Sequence, residues 1–185
     1  MNGLGPDNAF WIDGEWIGWD SVIDPEEDEY SRLKQLEHEA DLRMRYPKAD
    51  LSLIPYLEDL LGLAESYYYE TGKHLNVYGD IGELFGAIAF GIKLHKNNAQ
   101  GSDGRLGNDF VEIKTISPMS RKERKIVRLD RHFSKLLMVK IDNDFQIYGR
   151  LVKRGDLLKR TGNKTSHNMT LSWGHMPGAD GCFTS

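Results

Sequence analysis

Apolar and polar positions alternate most clearly in Gly101-Ser-Asp-Gly-Arg-Leu-Gly-Asn-Asp-Phe-Val-Glu-Ile-Lys-Thr-Ile116. Phe110, Val111, Ile113, Thr115 and Ile116 are aromatic or β-branched, which predicts a strand. Leu106-Gly-Asn-Asp109 ahead of it carries turn chemistry, because Gly and Asn accept positive φ at little cost. The pair reads as a hairpin. Side chains alternate along a strand, so Glu112 and Lys114 share one face while Val111, Ile113 and Thr115 take the other. Asp103 precedes the turn and can fold back beside them.

The rest of the chain alternates helical and strand periods. Asp13-Gly14 between Phe10-Trp-Ile and Glu15-Trp-Ile predicts a first hairpin. Its tryptophans read as packing groups before they read as a base-stacking platform. A helix is predicted from Asp24 to about Tyr46-Pro47. Asp24 would cap it, Pro25 would take its first position, and Tyr30, Leu33, Leu36 (or Glu37), Ala40 and Met44 would form its stripe. A second helix, Ser52 to Glu70, has Pro55 in its first turn and Thr71-Gly72 as its stop. These two helices are expected to pair as a hairpin. With the ribbon they form residues 1–72, packed on a core of residues 73–185.

A third helix, Ile81 to Phe90 with Asp80 as cap, has Gly82 and Gly86 four apart, which permits close approach to a sheet. Glu83 falls in its first turn, where the helix dipole alone would favour an anion. Ile92–His95 reads as a strand. Further strands are predicted at Lys125–Leu129, Phe133–Ile141, Phe145–Leu151 and Met169–Trp173, with a short helix at Asp156–Arg160. The residues after Gly174 are expected to be loosely ordered.

At 185 residues the chain can bury a sizeable core, and no apolar run reaches membrane-spanning length. The first residues lack a secretory pattern, and the lone Cys182 cannot form an internal disulfide, which together favour the cytoplasm. The net charge of −4 conceals an asymmetry. Residues 1–113 hold 9 Lys/Arg against 22 Asp/Glu, and residues 114–164 hold 15 against 5. Arg121, Lys122, Arg124, Lys125, Arg128 and Arg131 concentrate the positive charge, which suggests a polyanionic partner; a merely solvated basic face is the alternative. No zinc-spaced Cys/His cluster, zinc finger or helix-turn-helix is visible.

Taken alone, Glu112-x-Lys114 is most often a solvated ion pair. Its context is more specific. Gly79-Asp-Ile-Gly-Glu-Leu-Phe-Gly-Ala-Ile-Ala-Phe-Gly91, then Gly101-Ser-Asp-Gly104, then Val111-Glu-Ile-Lys-Thr115, resembles the PD-(D/E)xK nuclease superfamily over roughly Tyr78 to Arg160. Ser102 stands where the name-giving Pro would be. The resemblance implies an α/β, restriction-endonuclease-like mixed sheet flanked by helices, here preceded by a β-ribbon and a helical hairpin.

It also implies a metal-dependent nuclease, with a DNA endonuclease favoured. Asp103 and Glu112 would ligate Mg²⁺ or Mn²⁺, joined by the backbone carbonyl of Ile113. Lys114 would orient or deprotonate the attacking water, and Glu83 would hold a metal-bound water or a second ion. Asp109 competes with Asp103 for the ligand role, although its place in the turn makes it the weaker candidate. The basic block would hold phosphates, and Thr115, Ser117 and Ser120 could add hydroxyl contacts. His132 and His167 read as surface or packing residues. Many relatives are dimers, so a homodimer is among the expected partners. A catalytically inactive nucleic-acid-binding or protein-interaction module with the same fold is the alternative.

Overall fold

The computed structural model describes residues 9–12, 14–18, 25–96, 101–160, 168–176 and 183–184. The expectations for Asp13, Asp24, His167, Cys182 and most of the tail after Gly174 fall outside them. Backbone contacts gather Met1–Arg45 into one compact unit and Tyr46–Ser185 into another.

In the first unit, β1 (Ala9–Ile12) pairs antiparallel with β2 (Glu15–Gly18), Trp11 opposite Trp16. Gly14 takes a φ of 93° in the turn, as the Asp-Gly signal requires. Helix α1 (Pro25–Arg45) closes on two ion pairs at helical spacing, Arg43 with Glu39 and Arg45 with Asp41. Tyr30, Leu33, Leu36 and Met44 of its apolar stripe are exposed.

The second unit opens on a single 3-10 turn, Leu51–Leu53, capped by Asp50; Ser52 lies inside this turn and does not cap the helix that follows, whose N-cap is Leu53 with no side-chain bond. The Asp50 carboxylate accepts hydrogen bonds from both the amide and the hydroxyl of Ser52, at 3.1 and 2.7 Å. Helix α2 (Ile54–Thr71) follows, with Pro55 in its first turn, and ends where Gly72 adopts a left-handed φ of 66°. α2 packs on helix α3 (Tyr78–Phe90), so it belongs to this unit together with the sheet. α3 begins earlier than its apolar period predicts. Val77 is its N-cap, and Asp80 sits inside the first turn, where its charge favours the dipole instead of capping.

The remaining elements are β3 (Lys93–Leu94), β4 (Gly104–Leu106), β5 (Asp109–Ile116), β6 (Arg124–Arg128), β7 (Lys135–Ile141), β8 (Ile147–Lys153), α4 (Arg154–Arg160), β9 (Asn168–Ser172) and β10 (Phe183–Thr184). Six strands form a mixed sheet in the order β10-β8-β7-β5-β4-β3. β5 and β7 run parallel, Glu112 opposite Leu136 and Lys114 opposite Met138, while the other neighbours are antiparallel. β6 and β9 make a separate antiparallel ribbon.

Both faces of the sheet are covered. On one, Val111, Ile113, Leu137 and Val139 pack with Tyr78, Ile81 and Phe85 of α3. On the other, Ile116, Leu136, Met138 and Val152 pack with Val127 and Met169 of the ribbon, Trp173, and Leu157 of α4. Two-sided burial explains the unbroken apolar run Leu136–Val139. The glycines of α3 set the closeness of helix and sheet. A Cβ on Gly82 would stand 1.9 Å from Thr115 Oγ1, and one on Gly86 2.9 Å from Leu137 Cδ2. Among the described residues no helix is long and apolar enough to cross a membrane.

Candidate active site

The site forms where β4 and β5 meet the first turns of α3. Gly104 is the first β4 residue and pairs with β5 opposite Val111. One residue earlier, the Asp103 amide donates to the Val111 carbonyl at 3.0 Å, and the Asp103 carbonyl accepts from the His95 amide at 2.9 Å. With its backbone held on both sides, Asp103 turns its carboxylate back onto β5, where Oδ2 accepts from the Ile113 amide at 2.6 Å. The hairpin thus brings Asp103 to the strand that carries Glu112 and Lys114.

Close packing at Gly82 places the neighbouring Glu83 against the same region. Glu83, Asp103, Ile113, Lys114 and Thr115 line one cavity of about 350 Å³, which Lys125 of β6 also borders. Burial raises the pKa of Glu83, and the Asp103 charge raises it further; Asp80 and Glu112 add to the shift and Lys114 opposes it. Asp103 is also raised, first by burial and then by Glu112, against the lowering effect of the Ile113 amide, Lys114 and Arg131. The acids therefore repel one another across a partly desolvated space.

Glu112 lies behind the cavity rather than on its wall. It is fully buried, and its carboxylate is shared by two cations. Lys114 Nζ lies 2.5 Å from Oε1. Arg131 Nη1 donates to Oε1 at 2.9 Å and to Oε2 at 3.2 Å. Lys114 Nζ also donates to the Ile113 carbonyl at 3.1 Å. One ammonium thus bridges the Glu112 carboxylate and the Ile113 carbonyl.

Among the described residues no three His, Cys, Asp or Glu side chains converge as a ready cluster for a metal ion. The donor chemistry still fits a hard divalent cation. The nearby donors are all oxygen, from Glu83 and Asp103 and, already engaged by Lys114 and Arg131, from Glu112 and the Ile113 carbonyl, the type that magnesium or manganese prefers. Positive charge is already stationed where two of those donors meet. Such an ion would supply charge neutralisation at a phosphate and a water acidic enough to attack it.

The other candidates separate. Asp109 is engaged elsewhere, its carboxylate 2.7 Å from Lys135 Nζ and accepting from the Ser134 hydroxyl at 2.9 Å. Both contacts hold its pKa below the ordinary carboxylate value. Of the basic block, Lys125 reaches the cavity and Arg131 reaches Glu112. Arg128 pairs with Asp130 at 2.6 Å, and Arg121 lines a second cavity with Lys140, Asp142 and Tyr68. Lys122 and Arg124 are exposed. Thr115 and Ser117 border the acidic cavity, whereas Ser120 lines the second one. The exposed His132 packs edge-on to Phe110 with ring centres 4.9 Å apart.

Sequence reasoning did not find the Arg131–Glu112 pairing. The two residues are nineteen positions apart, and nothing in the local pattern of Asp130-Arg131-His132 marks a partner in β5. The chain matches no protein-family model, and no curated protein matches it by sequence.

Proposed function

We propose that the protein is a divalent-metal-dependent nuclease with a restriction-endonuclease-like core, acting on phosphodiester bonds, with DNA as the favoured substrate and the cytoplasm as its setting. One observation carries this reading: Glu83, Asp103 and Lys114 share a single cavity, while the Lys114 ammonium bridges the Glu112 carboxylate to the Ile113 carbonyl. Asp103, Glu112 and the Ile113 carbonyl would hold Mg²⁺ or Mn²⁺, with Glu83 reaching it through water. Lys114 would orient the attacking water and stabilise charge building on the phosphate. Lys125 at the cavity rim, with Arg121, Lys122 and Arg124 on the same stretch of chain, would hold the polyanion backbone without reading sequence. A homodimer is compatible with this reading.

A second reading has an observation of its own. The Glu112 carboxylate is buried and satisfied by two cations, as befits a structural ion pair in a non-catalytic nucleic-acid-binding module. Incubating the purified chain with plasmid, linear DNA and RNA, each with Mg²⁺, Mn²⁺ or EDTA, separates the two. Cleavage that needs the metal supports the nuclease. Binding without cleavage in every metal supports the module.

A further inference from the structure

We infer that Arg131 is a displaceable counter-ion that divides its guanidinium between Glu112 and a substrate phosphate. The inference rests on the nuclease reading and names a part for a residue outside the acid–lysine set. Two positive side chains sit on one fully buried carboxylate, Lys114 at 2.5 Å and Arg131 at 2.9 Å. A divalent ion arriving at Glu112 makes three positive groups around one negative one. Like-charge repulsion at such range then favours expelling a cation.

The two cations differ in how readily they can leave. Lys114 is also tied to the Ile113 carbonyl, one residue away on the same strand. Its side chain is 27% exposed, against 40% for Arg131. The Arg131 guanidinium therefore has the more open path to solvent.

Its backbone, by contrast, is pinned. The Arg154 guanidinium donates to the carbonyls of Leu129, Arg131 and Phe133, at 2.5, 2.9 and 3.2 Å, and lies over the Phe133 ring. Arg154 holds the segment while leaving the Arg131 side chain as the moving part. A planar guanidinium released from Glu112 presents a fork suited to a phosphate. Each ion that binds Glu112 thus frees one phosphate-binding group, which couples metal binding to substrate binding.

The test uses the full chain and the variants Arg131→Ala and Arg131→Gln. Gln keeps a donor for Glu112 without the charge, in case the Ala variant fails to fold. Two affinities are measured without catalysis: Mn²⁺ alone, by calorimetry, and a DNA duplex in Ca²⁺ across a salt series. The variants should bind Mn²⁺ several-fold more tightly. They should bind the duplex more weakly, with the salt slope reduced by about 0.9, the value of one lost phosphate contact. A purely structural arginine would weaken both affinities, and that result overturns the inference, as does unchanged Mn²⁺ affinity. If the unmodified chain binds no Mn²⁺ at all, the nuclease reading falls and this inference falls with it. If it binds Mn²⁺ but the variants bind no tighter, only the role of Arg131 fails.

Discussion

The Asp103 carboxylate accepts the Ile113 amide proton across the hairpin at 2.6 Å, one peptide from both Glu112 and Lys114. This contact is both structural and positional. It satisfies a strand amide and holds an acid beside the β5 residues to which the proposed chemistry is assigned. The two roles separate by substitution. Asp103→Asn retains a carbonyl oxygen for the amide, so it should fold with near-normal stability. Asp103→Ala leaves that amide without its partner and should lose about 1–3 kcal/mol. Both should lose metal-dependent cleavage. Urea melts beside cleavage rates check this; an Asn variant that retains full cleavage removes Asp103 from the ligand set.

Glu83 gives a pH signature. Its pKa is raised in the folded chain, chiefly by burial and by Asp103. Between the ordinary carboxylate value and the raised one, the folded state holds more protons than the unfolded state. Stability attributable to Glu83 therefore falls as pH rises through that window, and the penalty is complete above it. Glu83→Gln should be more stable than the parent at neutral pH. The difference should shrink on acidification and vanish below about pH 4, the ordinary carboxylate range. Denaturation midpoints across pH for the two proteins measure it. An advantage that grows on acidification would contradict the electrostatic assignment.

Gly82 ties the fold to the site. A methyl there meets the Thr115 hydroxyl at 1.9 Å and the Thr115 Cβ at 3.1 Å, so the Thr115 side chain has to turn or α3 has to shift from β5. Gly82→Ala should destabilise by about 1–3 kcal/mol through overpacking. It should also move Glu83 and lower cleavage, on the order of 10²-fold for a displacement near 1 Å. Gly62 on α2, whose Cβ would meet nothing within 4 Å, is the control. Gly62→Ala should leave cleavage unchanged.

In the proposed mechanism Lys114 orients the attacking water and stabilises the phosphate charge. Lys114→Ala should reduce turnover by roughly 10²–10⁴-fold, the usual range for removing a proton-transfer group. Glu112 keeps Arg131 as a counter-ion, so the variant should still fold. Lys114→Arg retains charge but not the compact ammonium between Glu112 and the Ile113 carbonyl, and should not restore the rate. Single-turnover rates with circular dichroism as the folding check decide it.

Much of this architecture was legible in local patterns. The β-branched alternation of 110–116 and its Gly-Asn turn announced the β4–β5 hairpin. Gly82 and Gly86 announced the close seat of α3, because small residues at helical spacing leave little else to explain them. Helix starts were less legible, since a 3-10 turn absorbed Ser52 and left Leu53 as the N-cap of α2, and Val77 displaced Asp80; both outcomes depend on backbone geometry that propensity does not encode. The burial of Glu112 and its capture by Arg131 were illegible for a different reason. They arise from the return of the chain between β6 and β7, and a partner nineteen residues away leaves no periodic trace.

The most direct measurement is conversion of supercoiled plasmid by the unmodified chain and by Asp103→Asn, purified in parallel, in Mn²⁺ and in EDTA. The expected result is nicked or linear product from the unmodified chain with Mn²⁺ alone, and none from the variant. Intact plasmid throughout, or equal cleavage by both proteins, would contradict the nuclease assignment.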